Sequence, residues 1–96
     1  MRKYEIMYIL RADLDEAARK EVQETVHGIL TSNGATITNV DEKLGLRDLA
    51  YPINDEVKGF YVVLKVTSDE ATLREFARLV KINANVLRHL VVVDHE

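Results

Sequence analysis

Gly59-Phe60-Tyr61-Val62-Val63-Leu64-Lys65-Val66 is the stretch that decides the architecture. After the glycine, six of the seven residues are apolar, most are β-branched or aromatic, and neither side of the run is clearly polar. A run of this kind is a strand covered on both faces, which places it inside a sheet. Tyr4 to Leu10 is its counterpart, with Tyr4, Ile6, Tyr8 and Leu10 on one side and Glu5, Met7 and Ile9 on the other. That alternation predicts a second interior strand.

Between these two strands, Asp13-Leu14-Asp15-Glu16 supplies N-cap candidates and first-turn acids. Ala18, Val22, Val26, Ile29 and Leu30 then repeat at helical spacing until Asn33-Gly34 stops the helix. Ala35 to Leu44 carries Thr36, Ile37, Thr38 and Val40 among polar neighbours, the pattern of a strand with one wet face or in an edge position. Ile37 and Val40 are out of phase with a period of two, so a bulge is expected there. From Gly45 to Lys58 periodicity is lost, and Pro52 with Asn54-Asp55 predicts a long connecting loop. Beyond the central strand, Ser68 reads as the next N-cap. Leu73, Phe76, Ala77 and Val80 form a helical stripe that Asn83 and Asn85 end, and Val86 to Val93 is a last strand.

The order β-α-β-β-α-β predicts an α+β fold, the ferredoxin-like split βαβ sandwich: one antiparallel four-stranded sheet with two helices on one face. The two most apolar strands belong in the middle of that sheet, and the second face is left open for partners. With 96 residues, 47% hydrophobic and 30% charged, the chain is predicted to be a single domain over residues 1–96. No cysteine is present, which removes disulfides, thiolate metal sites and thiol nucleophiles. No apolar run reaches the ~18 residues of a membrane span, and Met1-Arg2-Lys3 leads directly into a strand, so a cytoplasmic chain without membrane contact is expected.

The net charge of −3 argues against a general nucleic-acid binder, but its distribution matters more. Asp13 to Asn33 holds five acids against Arg19 and Lys20 and so carries all of it, leaving the rest neutral. His27, His89 and His95 share no metal-ligand spacing; His27 is expected at the rim of the first helix and His95 in a frayed end. Gly28, Gly34, Gly45 and Gly59 are isolated, so no phosphate-cradling loop exists, and Ser32 and Ser68 sit at helix ends without a base. The pairs Asp15-Glu16, Asp41-Glu42, Asp55-Glu56 and Asp69-Glu70 read as solvated charge. No enzyme, cofactor, metal site or small-molecule substrate is predicted. Lys58-Gly59-Phe60-Tyr61 opens like an RNA-recognition-motif strand, yet the positions that would stack bases hold Val62 and Lys65. What remains is a scattered set of basic and aromatic residues: Arg2, Lys3, Tyr4, Lys43, Arg47, Tyr51, Lys58, Tyr61 and Arg88. Composition alone makes these ordinary surface side chains.

Four strings change that reading. Met1-Arg-Lys-Tyr-Glu-Ile6, Gly45-Leu-Arg-Asp-Leu-Ala-Tyr-Pro-Ile53, Lys58-Gly-Phe-Tyr61 and Asn85-Val-Leu-Arg88 resemble, in order and across essentially the whole chain, the bacterial ribosomal protein S-six family. The resemblance implies a non-catalytic component of the small (30S) ribosomal subunit. It implies binding to the central domain of 16S ribosomal RNA together with the S-eighteen protein, in the cytoplasm. Carried over by position, Arg2, Lys3, Arg47 and Arg88 become candidates for phosphate or sugar contacts. Tyr4, Tyr51 and Pro52 become candidates for the RNA or partner boundary. The chain departs from the family pattern at Leu44, where many relatives have Trp, at Asp48, where relatives often add a base, and in lacking a tail after the last strand. Two other readings compete: a ligand-sensing ferredoxin-like module that dimerises through its open face, and an RRM-like single-strand RNA binder.

Overall fold

Alternation along the N-terminal segment becomes β1 (Arg2–Arg11), and the glycine-led apolar run becomes the body of β3 (Glu56–Ser68), in a computed structural model that describes residues 1–53 and 55–94. α1 (Glu16–Ser32), β2 (Thr36–Ile53), α2 (Glu70–Lys81) and β4 (Val86–Val93) complete the order, and the strands form one antiparallel sheet arranged β2-β3-β1-β4. The two uniformly apolar strands are the inner pair, as their patterns demand. Ile6 pairs opposite Leu64 and Tyr8 opposite Val62. This side of the sheet carries Tyr4, Ile6, Tyr8, Leu10, Val62, Leu64 and Val66 into one core with Val22, Val26 and Leu30 of α1 and Phe76 and Val80 of α2. Each such side chain contributes about 1.5–3 kcal/mol by leaving water.

Local signals set the helix ends. Asp15 caps α1, its Oδ1 accepting the Ala18 amide at 2.7 Å. At the other end Gly34 takes φ +100°, so that the Ala35 amide reaches the Leu30 carbonyl at 3.0 Å and the Gly34 amide the Thr31 carbonyl at 3.3 Å. That double closure satisfies carbonyls the last turn would otherwise leave open, and it requires the left-handed residue. α2 is capped one residue later than its sequence suggests. Ser68 is fully buried as the last residue of β3, and Asp69 accepts the Thr72 amide at 2.8 Å. That bond, first among several causes, holds the Asp69 carboxyl below its usual range. Thr72 in turn donates its hydroxyl to the Asn33 carbonyl at 2.9 Å, joining the start of α2 to the end of α1.

The segment expected to be a loop is the main correction. Residues 45–53 continue β2 and residues 56–58 begin β3, so the connection is a long two-stranded ribbon whose turn includes Asp55, at φ 66°. β2 leaves register with β3 between Ile37 and Asn39, between Asp41 and Gly45, and between Asp48 and Ile53, inserting one, two and three surplus residues. The shifts of one and three residues reverse the phase of the side chains and the shift of two interrupts the ladder without reversing it, so no single alternation runs through the strand for a sequence to display. The first of them is the expected bulge. Pro52 is tolerated because it lies in the last shift of an edge strand, where no ladder amide is needed. His27 does sit half-buried at the rim of α1, its Nε2 2.8 Å from the Tyr8 hydroxyl; the expectation for His95 falls outside the described residues.

Candidate functional site

β1 turns Lys3, Glu5, Met7, Ile9 and Arg11 away from the helices. Register places Tyr61 and Arg88 on either side of Ile9, and Val63 and Leu90 on either side of Met7. This face has no helix over it, yet Ile9 is only 5% exposed. Its cover is the end of β2. Leu49 to Ile53 folds back across the sheet as a strap and encloses a recess of about 220 Å³ with Met7, Ile9, Tyr61 and Leu90. Gly59 makes the close approach possible. A Cβ there would lie 2.3 Å from Ile9 Cγ2 and 3.3 Å from Leu49 Cδ2. Arg11, itself paired with Asp13 at 3.0 Å, holds the turn end of the ribbon through Glu56 at 3.4 Å.

The strap delivers Tyr51 to Arg88. The Tyr51 hydroxyl accepts a hydrogen bond from Arg88 Nη1, and the guanidinium carbon stands 5.8 Å from the centre of the Tyr51 ring. Both side chains are exposed, as is the adjacent Pro52. Three of the sequence-predicted residues therefore form one cluster. Arg47 stands opposite Gly59 in the ribbon, exposed, its Nε donating to the Leu44 carbonyl at 3.0 Å beside a shallow polar recess shared with Asp48 and Lys58. Arg2 and Lys3 are exposed at the other end of β1. At ~3.3 Å per residue they stand about 20–23 Å along the strand from the Ile9 row, so they are not part of the same cluster.

Tyr4 differs from its expected place. It is 6% exposed and belongs to the core, so its ring offers no stacking surface at a boundary. The even phase that made Tyr4 part of a strand also turned it under α2. Sequence reasoning assigned no site role to Met7, Ile9, Leu49 or Leu90, which shape the recess, nor to Tyr61, noted only among the scattered residues. Period-two pairing of Ile9 with Tyr61 was available, but the strap that makes it matter was not. The RNA-recognition-motif likeness fails on geometry as well. Val62 is fully buried toward the helices, and Gly59 answers the packing of Ile9 and Leu49. Among the described residues no group of three His, Asp or Glu side chains comes together in a way that could hold a metal ion.

The charges are sorted by layer. Glu16, Glu21 and Glu24 are exposed on α1, whereas Lys3, Arg11, Arg47, Lys65 and Arg88 stand on the open side by register, against Glu5, Asp41 and Asp94, whose Oδ2 lies 3.9 Å from Lys65 Nζ. A molecule of net charge −3 thus presents a face richer in cations than acids.

Known proteins match this arrangement over its full extent. The family model described as ribosomal protein S6 matches residues 3–93. The small ribosomal subunit protein bS6 of Halalkalibacterium halodurans and that of Shouchella clausii are each 52% identical over 96 residues, covering all of both chains. The crystal structure of 30S ribosomal protein S6 from Thermotoga maritima aligns with a TM-score of 0.89 at 26% identity, over 97% of this chain and 87% of that one. The four strings, the β2-β3-β1-β4 sheet and these matches agree: the chain belongs to the ribosomal protein S6 family.

Proposed function

We propose that the chain binds the central domain of 16S ribosomal RNA jointly with the S-eighteen protein, using the open side of its sheet. Family membership makes it a component of the small subunit of the bacterial cytoplasmic ribosome, in a structural rather than an enzymatic family. The observation that supports RNA contact is the Tyr51–Arg88 pair, a cation held at the surface beside an exposed aromatic ring and Pro52. A guanidinium so placed suits phosphate or sugar oxygens, and the ring suits a base or a partner side chain. Arg47 and Lys58 extend the cationic edge, and Lys3 offers a second, separate contact on the open side; Arg2, in phase with Tyr4, lies instead on the helix side beside Glu70 and Arg74. An overall charge of −3 means that RNA affinity rests on few phosphate contacts, so a partner that completes the surface is needed.

Reconstitution with the S-eighteen protein and a central-domain RNA fragment tests this reading. Binding should be strong with the partner and weak without it. Replacing Arg47 and Arg88 with Ala should reduce the dependence of log K on log salt by about 0.7–0.9 for each phosphate no longer neutralised. Equal binding with and without the partner would refute joint recognition, and an unchanged salt slope would refute the two arginines.

A further inference from the structure

Tyr51 and Arg88 are 37 residues apart and arise from opposite edges of the sheet, β2 and β4. They meet only because the strap crosses two intervening strands. Leu49 closes over Ile9 and Gly59, and the hydroxyl of Tyr51 then reaches the guanidinium. Arginine on a surface strand ordinarily samples many rotamers, and a ligand that uses it must stop that motion. Here one Nη is already taken by the hydroxyl, and the guanidinium stands at the hydroxyl end of the ring. A guanidinium has five N–H donors, so donors remain to meet an oxygen ligand.

We infer that Tyr51 is a positioning residue: its hydroxyl fixes the Arg88 guanidinium in a single orientation before RNA arrives. This deepens the proposed function and rests on Arg88 being an RNA contact. Tyrosine supplies the acceptor without a charge, so the cation keeps its full electrostatic value toward phosphate, which a carboxylate in the same place would cancel.

The test is a double-mutant cycle on binding of the protein pair to the central-domain RNA fragment. Tyr51→Phe keeps the ring and removes only the acceptor. It should weaken binding about three- to tenfold and leave the salt slope unchanged, because no cation is removed. Arg88→Ala should lower both affinity and slope, and Tyr51→Phe added to Arg88→Ala should have no further effect. In the free protein, the NMR order parameter of the Arg88 Nε–H should fall in Tyr51→Phe at an unchanged thermal midpoint. An unaltered affinity in Tyr51→Phe overturns positioning and leaves the RNA-contact reading standing. A drop of the same size in the Arg88→Ala background also overturns it, by showing that the hydroxyl acts independently of Arg88. If Arg88→Ala itself binds like the parent, the RNA contact fails and positioning falls with it.

Discussion

Gly59 is the residue on which the packing of the strap against the open face turns, for reasons of space. Its backbone is not among the positive-φ glycines, which are Gly34 and Gly45. A methyl group there would meet Ile9 Cγ2 at 2.3 Å with the Leu10 carbonyl oxygen at 3.4 Å, so the strap or Ile9 must yield. Overpacking of this kind costs about 1–3 kcal/mol. Gly59→Ala should lower the urea midpoint accordingly, with no change in m-value. His27 governs a different property. Burial pushes its pKa down against the opposing pull of Glu42, and burial raises the Tyr8 phenol beside it. Freed in the unfolded chain, the imidazole takes up a proton near 6.5, whereas in the fold it stays neutral to lower pH. The unfolded state therefore binds more protons in that interval. The stability linked to His27 is complete above about pH 6.5 and is lost as pH falls toward the folded value. His89, lowered by burial and by Lys81, adds in the same direction. In urea titrations between about pH 5 and pH 8, His27→Gln should flatten the acid-side decline without abolishing it; an unchanged decline would show that His27 does not contribute.

At the scale of elements, the helices and inner strands were legible because each repeats one period without interruption. α1 has its stripe, its Asp15 cap and its glycine stop within one continuous segment, and all three act where the residues stand. Asp15→Ala should cost about 1 kcal/mol, read as a decrease of global stability in denaturant. The cap of α2 is ambiguous by one position in the sequence because Ser68 and Asp69 are both good cap formers. The choice between them comes from the register of β3, which holds Ser68 opposite Arg2 as the last rung. β2 was only half legible. Ile37 and Val40 betrayed the first bulge, but three successive shifts against β3 removed any period that could distinguish strand from loop over residues 45–53. Arg47, Tyr51 and Arg88 were found by resemblance to a family. Their contacts were not, since the Tyr51–Arg88 bond depends on where the strap lands across the sheet.

For the molecule as a whole, both helices and the inner strands draw on one core, with Leu64 near its middle and fully buried. Leu64→Ala should cost about 2–5 kcal/mol, a large share of the roughly 5–15 kcal/mol available to a domain of this size. Far-UV circular dichroism and cooperative melting should both register the change. The core leaves the open side without a helix over it, and the layering of charge keeps the acids of α1 away from it, so folding and the proposed recognition use different surfaces. The open second face and the acidic first helix were both plain in the sequence; the strap that crosses that face was not. The broken register of β2 bears finally on behaviour in a crowded cell. A free margin of sheet is a template on which another chain can grow, and growth needs an uninterrupted row of amides. Three dislocations along this margin deny a newcomer that row, so the side of the molecule that resisted reading is also the side least able to nucleate fibrils.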